Sequence, residues 1–285
     1  MRVLVTGATG FTGQAVVRDL AARGDTVHAL RRPGAALPDG VEPVDQDLTA
    51  PLDGLPDAID GVVHLAQSRR YREFPDGASD VFEVNANATV RLLDWARAAG
   101  ADSFVYASSG AVYAPGPEPV RETDAPAPGN FYAVSKLAGE LACEQFRGEL
   151  RAHVLRFFFI YGPGQENMFI PGVVGRIRDG QEVALAGEDG IRVNPVYVDD
   201  AASAVIGALD ASESLTLNVA GPDVVSLREL SELAGELVGR EPSYAVGDPR
   251  PDVLASIDAL RDAGLGPQVS FAEGLRRTVA ATVSP

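Results

Sequence analysis

Lysine is almost missing from this chain. Of its 24 basic residues 23 are arginine, and the single lysine is Lys136, in the stretch Asn130-Phe131-Tyr132-Ala133-Val134-Ser135-Lys136. Cysteine is equally scarce. The lone Cys143 excludes an internal disulfide framework and a cysteine metal cluster. The three histidines, His28, His64 and His153, stand far apart with no metal-ligand spacing, so they read as packing residues within strands and no metal site is expected. Long apolar runs are absent too: none approaches the roughly 18–20 residues of a membrane span, and the opening MRVLVTG has no signal-like stretch. The expectation is a cytoplasmic protein with no membrane partner. Positive charge is in deficit, with 24 bases against 40 acids and a formal charge of −16. A nucleic-acid partner requires a basic face, so that class is excluded. Phosphate-bearing small molecules are not, because a local site can bind them against the overall field.

What is present is an ordinary globular composition, 46% hydrophobic and 22% charged over 285 residues, enough for one large domain with a smaller one attached. The first two-thirds alternates short apolar runs with helical patterns. Strands are expected at Arg2–Thr6, Thr26–Leu30, Val41–Val44, Gly61–Leu65, Ser103–Ala107 and His153–Phe157. Several are apolar throughout, as in strands covered on both faces. Helices are expected over Gln14–Arg23, Ala86–Ala99 and Tyr132–Arg147. This order implies right-handed βαβ units around a parallel sheet. Beyond Gly162 the pattern becomes mixed, with Met168–Asp179, Val183–Ala186, Ser226–Val238 and Phe271–Ala281 as candidate elements. The expected organisation is residues 1–162 as a dinucleotide-binding domain and 163–285 as mainly a substrate-binding region, with 195–220 returning to pack on the first.

Strand one runs into Thr6-Gly7-Ala8-Thr9-Gly10-Phe11-Thr12-Gly13 and then a helix. Glycines there permit a sharp turn and close approach of a pyrophosphate, whose charge meets the helix N-terminus. The spacing is G-x-x-G-x-x-G, one residue longer than the common G-x-G-x-x-G fingerprint. At the end of strand two, Leu30-Arg31-Arg32-Pro33 carries no acid. A carboxylate there suits the ribose hydroxyls of NAD and an arginine the 2′-phosphate of NADP. NADP(H) is therefore expected as the preferred cofactor, with NAD(H) possible. Asp47 is a candidate for the adenine amino group, or alternatively a helix N-cap.

Tyr132 and Lys136 are four residues apart, so they share one helix face. A phenol with a pKa of about 10 is a poor base at neutral pH. An adjacent ammonium and a positive nicotinamide favour the phenolate and are expected to lower that pKa. The lysine can also hydrogen-bond the nicotinamide ribose, in a way the planar guanidinium of arginine does not copy. A third member is expected from a strand end, where Ala107-Ser108-Ser109-Gly110 offers two hydroxyls for a substrate oxygen; turn formation is the competing use. Asp199-Asp200 read as helix-opening acids. Arg69-Arg70-Tyr71-Arg72 reads either as an anion-binding segment or as a solvated loop.

Together these segments resemble the extended short-chain dehydrogenases/reductases, in the NAD(P)-dependent epimerase/dehydratase family that includes many nucleotide-sugar enzymes. The motifs are TGATGFTG at 6–13, Asp47-Leu48, His64-Leu65-Ala66, Asn85 in VNANAT, SSGAVY at 108–113, Tyr132/Lys136, LRFFFIYGPGQ at 155–165, PVYVDDAASAV at 195–205 and LNVAGP at 217–222. The resemblance implies a Rossmann-type doubly wound α/β fold with a smaller C-terminal mixed α/β region, and a homodimer. It implies Ser109 as the catalytic Ser/Thr, Tyr132 as acid/base and Lys136 as its electrostatic and ribose-binding partner. The cofactor set expected from turn, strand ends and resemblance is Gly7, Thr9, Gly10, Phe11, Thr12, Gly13, Arg31, Arg32, Asp47, Leu48, Leu65, Ala66, Gln67, Asn85, Tyr132, Lys136 and Phe159.

Three positions depart from the family pattern. Phe159 stands where nucleotide-sugar enzymes commonly have Asn, Val193-Asn194-Pro195 replaces Arg-Asp-Phe before Tyr197, and Arg31 replaces the acid of strand two. The first two remove ligands for a substrate diphosphate, although Arg192 lies one position from the second. The expected activity is hydride transfer between nicotinamide C4 and a carbinol or carbonyl carbon of a sugar-nucleotide-like or other hydroxyl/keto metabolite, with Tyr132 moving the proton. Two alternatives stay open: a nucleotide-sugar 4-epimerase or dehydratase with tightly bound NAD, and a silent dinucleotide-sensing regulator.

Overall fold

The structure is a computed structural model that describes residues 1–32, 34–38 and 40–283, with side chains through residue 281. Pro33, in the segment considered for cofactor choice, lies outside the described residues. In chain order the elements are β1 (Arg2–Thr6), α1 (Phe11–Arg23), β2 (Thr26–Arg31), β3 (Glu42–Asp45), β4 (Gly61–His64) and α2 (Ala78–Phe82). A π-helical turn (Glu83–Asn87) leads into α3 (Ala88–Ala98), followed by β5 (Ser103–Ser109), α4 (Phe131–Phe146), β6 (Arg151–Phe157) and α5 (Phe169–Arg178). Then come β7 (Val183–Ala186), β8 (Arg192–Val193), α6 (Val198–Asp210), β9 (Thr216–Val219), β10 (Val225–Ser226), α7 (Leu227–Val238), β11 (Tyr244–Gly247), α8 (Asp258–Asp262) and α9 (Phe271–Val283).

The main sheet has seven strands in the order β3-β2-β1-β4-β5-β6-β9. Its first five strands pair in parallel, for example Val3 with Val27 and Gly61, and Val63 with Val105. This is the doubly wound order, with a switch point between β1 and β4. β4 is buried at all four positions and β5 at its first six, as the apolar runs require. Every expected strand of the first half is present, most of them one or two residues longer or shifted. β9 was not anticipated, since Thr-Leu-Asn-Val carries a polar residue mid-strand.

The chain divides into two compact units. The first comprises Met1–Ala114, Ala125–Arg156 and Ala202–Leu217, and the second Pro115–Asp124, Phe157–Ala201 and Asn218–Pro285. Against the expected 1–162 and 163–285 with 195–220 returning, Ala202–Leu217 groups with the first unit, while Pro115–Asp124 and the stretch from Phe157 group with the second. Pro115–Asp124 joins the second unit because its backbone bonds there: Gly116 N–H donates to Asp252 O at 2.9 Å and Val120 N–H to Leu254 O at 3.0 Å. In the first unit the core gathers Leu4, Leu30, Val62, Leu92, Leu93, Phe104, Tyr106 and Val154 between sheet and helices. Leu209 of α6 packs against Gly61, where a Cβ would come within 2.7 Å of Leu209 Cδ1.

The second unit holds a parallel β7–β11 pair and an antiparallel β8–β10 pair. Ser226 and Glu229 form a reciprocal capping box on α7. Asp200 is buried, and its carboxylate accepts the Gln268 and Val269 N–H groups at 3.0 and 2.9 Å. It therefore fastens the loop before α9 in addition to sitting at a helix start. Phe159 lies in this unit at φ 44°, a left-handed conformation uncommon for a bulky side chain, with its ring 5.2 Å from that of Phe169.

Candidate functional site

All expected site residues except Phe159 belong to the first unit. The glycine turn is shaped by contact with its own chain and with the end of β4. Gly7 has φ 70°, and a Cβ there would lie 2.7 Å from Ala66 N; a Cβ on Gly13 would overlap the Gly7 carbonyl. No other residue type fits either place without moving backbone. α1 begins at Phe11 behind Gly10, which supplies no side-chain cap, and its first turn carries no acid. With neither in place, the N-terminus of α1 suits a pyrophosphate. Thr9, Phe11 and Thr12 are half-buried around the turn.

The ends of β1 and β4 are knitted together. Ala66 N–H donates to Thr6 Oγ1 at 3.2 Å, and Leu65 N–H to Thr6 O at 3.2 Å. His64 is fully buried between Thr6 Oγ1 at 2.6 Å and Thr89 Oγ1 at 3.1 Å. Burial, and then the charge of Lys136, drops its pKa to about 3, so it is a neutral core residue. From Ala66 the chain passes to Gln67, whose Oε1 accepts the Tyr132 hydroxyl at 3.1 Å. The glycine turn and the phenol are linked through these few residues.

α4 starts behind Asn130, whose side chain accepts the Ala133 N–H at 2.9 Å. That cap fixes Tyr132 and Lys136 in the first two turns. Lys136 is almost fully buried and donates from Nζ to the Ala107 carbonyl at 2.9 Å. Its ammonium lies 5.9 Å from the Tyr132 ring centroid and 5.3 Å from that of Tyr106. Burial lowers its pKa from the ordinary 10.5 to about 7, opposed by Glu140. Ser109, half-buried, ends β5 and caps the next turn by accepting the Ala111 N–H at 3.2 Å, the turn-forming use considered for it. Its hydroxyl also lowers the Tyr132 pKa, but burial outweighs this and Tyr71 adds to the rise, pushing the half-buried phenol up to about 12. The expected lowering by Lys136 is not realised in the protein alone, since the ammonium is turned toward the Ala107 carbonyl and desolvation dominates.

Asn85 and Asp47, both expected near the cofactor, make bonds within the chain. Asn85 is fully buried in the π-turn, with its amide committed to Ser68 N–H at 2.9 Å and Ser135 Oγ at 3.0 Å. It ties the loop after β4 to α4, the work of a π-turn at a functional site. Asp47 accepts both the N–H and the hydroxyl of Thr49 at 2.8 Å. This is a local turn bond and not a helix N-cap, and it holds the carboxyl below its ordinary range. Leu48 is buried, its carbonyl accepting from Arg91. Arg31 is held by Asp45, its register partner on β3, through Nε at 2.8 Å, and by the Ala35 carbonyl at 2.7 Å. Arg32 is exposed beside it.

The Arg69-Arg70-Tyr71-Arg72 segment brings one ring to the phenol, and two further contributors, Glu140 and Arg156, went unread in the sequence. The Tyr71 ring lies 5.3 Å from that of Tyr132, with Arg72 over it at 5.1 Å. Beneath Lys136, Glu140 and Arg156 form a buried ion pair at 2.7 Å. The signals were there: Glu140 follows Lys136 by four residues, and Arg156 interrupts an apolar strand, where a charge requires a partner.

The model of the "NAD dependent epimerase/dehydratase family" matches residues 3–220. The chain belongs to that family. Among its relatives, the UDP-glucose 4-epimerase of Mycolicibacterium smegmatis is 31% identical over 98% of this chain and 97% of that protein. The GDP-6-deoxy-D-mannose reductase of Pseudomonas aeruginosa is 30% identical over 96% and 95% respectively. The solved UDP-glucose 4-epimerase of Thermus thermophilus, a complex with NAD, matches with a TM-score of 0.85 and 32% identity, covering 99% of this chain and 98% of that one. Its relatives are named epimerases, reductases and dehydratases, so the chain is an enzyme of this family and a catalytically silent role is not favoured. No helix among the described residues is long and apolar enough to cross a membrane.

Proposed function

We propose that this epimerase/dehydratase family member transfers hydride between a nicotinamide dinucleotide and a ring carbon of a nucleotide sugar. The observation that carries it is the Tyr132 hydroxyl, linked through Gln67 to the loop beside the glycine turn and backed by buried Lys136 and Ser109. The dinucleotide, with its pyrophosphate at the Gly7–Gly13 turn, supplies or accepts the hydride at nicotinamide C4. Ser109 Oγ orients the substrate oxygen. Tyr132 gives that oxygen a proton as a carbonyl is reduced, or takes one as a carbinol is oxidised. Lys136, after its bond to Ala107 O, has two N–H groups left for the ribose and the phenol.

Arg31 and Arg32, with no acid at the end of β2, support NADP(H) over NAD(H), although Asp45 already neutralises part of Arg31. Arg69 and Arg72, exposed on the segment that bears Tyr71, support an anionic substrate. Val90 on α3 and Val134 and Leu141 on α4 are exposed apolar side chains on neighbouring helices, which supports a homodimer through that face. A free, buried Cys143 is consistent with the cytoplasm.

The test is a matrix of UDP-, dTDP- and GDP-linked hexoses and their 4-keto forms against NADPH carrying deuterium at C4. Deuterium appearing on a sugar carbon is the expected result. No transfer to any of them, with dinucleotide binding intact, would remove nucleotide sugars from the account.

A further inference from the structure

Helix α4 presents Tyr132, Lys136 and Glu140 at intervals of four residues, so the three side chains rise along one face toward β5 and β6. They meet the end of β5 in order. Lys136 Nζ donates to the carbonyl of Ala107 at 2.9 Å, the hydroxyl of the next residue, Ser108, donates to Glu140 Oε1, and the residue after that is Ser109. Two side chains one helical turn apart thus grip two successive residues directly before the candidate catalytic serine.

Glu140 is itself held firmly. Arg156 of β6 donates from Nη2 at 2.7 Å and from Nε at 3.1 and 3.2 Å to its two carboxylate oxygens. Arg156 Nη1 donates to the Tyr113 hydroxyl, and its guanidinium lies 4.9 Å from the Tyr113 ring centroid. The side chains of Arg156 and Glu140 are only 8% and 6% exposed. A buried ion pair is weak support for stability, because desolvation offsets the attraction and apolar residues of like volume do as well. What the pair does supply is a fixed carboxylate, one turn below the only lysine.

We propose that Glu140, balanced by Arg156, is a positioning residue for the acid/base site: it fixes the Ser108–Ser109 end of β5 and keeps the Lys136 ammonium protonated beside Tyr132. The proposal rests on the hydride-transfer reading of that site. Around Lys136 the titratable and charged groups are Tyr132 and Glu140 on its own helix, Tyr106 on β5, His64 on β4 and Arg156 on β6 with Tyr113 beyond it. His64 is neutral across working pH. Arg156 directs its donors to Glu140 and Tyr113. Glu140 is therefore the one group of this set that opposes the loss of the Lys136 proton.

A chain with one lysine allows a direct test, since carbon-13 lysine labelling of the full-length protein yields a single side-chain signal to titrate. Measured with and without NADPH, the Lys136 midpoint is expected near 7 in the free protein. In Glu140→Gln it is expected to fall by about one pH unit, because the charge favouring the ammonium is gone. Glu140→Asp should restore part of the shift. As Glu140→Gln leaves Arg156 buried without its counter-charge, Glu140→Gln/Arg156→Met removes both charges at similar volume and should fold; having lost the Arg156 cation as well, it should show a smaller fall than Glu140→Gln. On an identified substrate, the alkaline limb of kcat should move down with the midpoint while the dinucleotide Kd stays within about twofold. A folded Glu140→Gln protein with an unmoved midpoint overturns the proposal, and so does a double variant that fails to fold, which would assign the pair to stability. The titration needs no turnover, so it fails or stands separately from the hydride-transfer reading.

Discussion

At the scale of single residues, the site is governed by desolvation. Burial raises the Tyr132 pKa to about 12 and lowers that of Lys136 to about 7, each toward the uncharged form. The signs give opposite consequences for stability. The raised phenol contributes stability that is present below its unfolded pKa and is lost as pH climbs through about 12. The depressed lysine costs stability most below about 7, and the cost disappears as pH rises past the unfolded 10.5. The spacing of Tyr132 and Lys136 was legible in the sequence; the depth at which they sit was not, because burial is decided by the loop after β4 and by Tyr71. Cofactor choice also belongs to this scale. Arg31 has to exchange Asp45 for a 2′-phosphate, so the preference for NADPH should be modest, about tenfold in Kd, or roughly 1.4 kcal/mol. Arg31→Asp should reverse it in a fluorescence titration of both reduced dinucleotides. Equal affinities in the unmodified protein would dismiss the role given to Arg31.

At the scale of elements, legibility follows burial. β1, β4 and β5 read directly because both faces are covered and the apolar run has no alternative use. The glycine turn read equally well, since its three glycines answer to backbone clashes and not to side-chain context. What failed were short pairs such as β8–β10, two residues each, whose pattern is too brief to show a period. The stretch expected as one helix over Ala86–Ala99 is a π-turn and then α3, an irregularity that turns Asn85 inward to Ser68 and Ser135 and that no periodicity announces. Helices α3 and α4 also carry the proposed dimer face. Leu141, 60% exposed, and Val134, one seven-residue step earlier, lie on the same side of α4. Leu141→Asp is expected to convert a dimer to a monomer in sedimentation velocity without loss of dinucleotide binding. A chain that sediments as a monomer before any substitution would contradict the proposed face.

At the scale of the molecule, family membership was legible because its motifs fall on many separate elements, from the turn after β1 to the segment around β9. The net reaction was not, since one family covers reduction, epimerisation and dehydration. The protein's charge of −16 sets a further condition. The proposed anionic substrate would approach against the general field, and Arg72, over the Tyr71 ring that lies 5.3 Å from the Tyr132 ring, is the local cation proposed to favour its capture. Salt should therefore have little effect on the approach of a neutral analogue and a larger one on the charged substrate.

The central claim is that Tyr132 moves the proton that accompanies hydride transfer. The direct measurement is single-turnover oxidation of bound NADPH by a reactive 4-keto nucleotide sugar, followed by nicotinamide absorbance, in the unmodified protein and in Tyr132→Phe. The account predicts a rate lower by at least about 10²-fold in the variant, with the dinucleotide Kd unchanged within about twofold. A variant that turns over at the unmodified rate would contradict it.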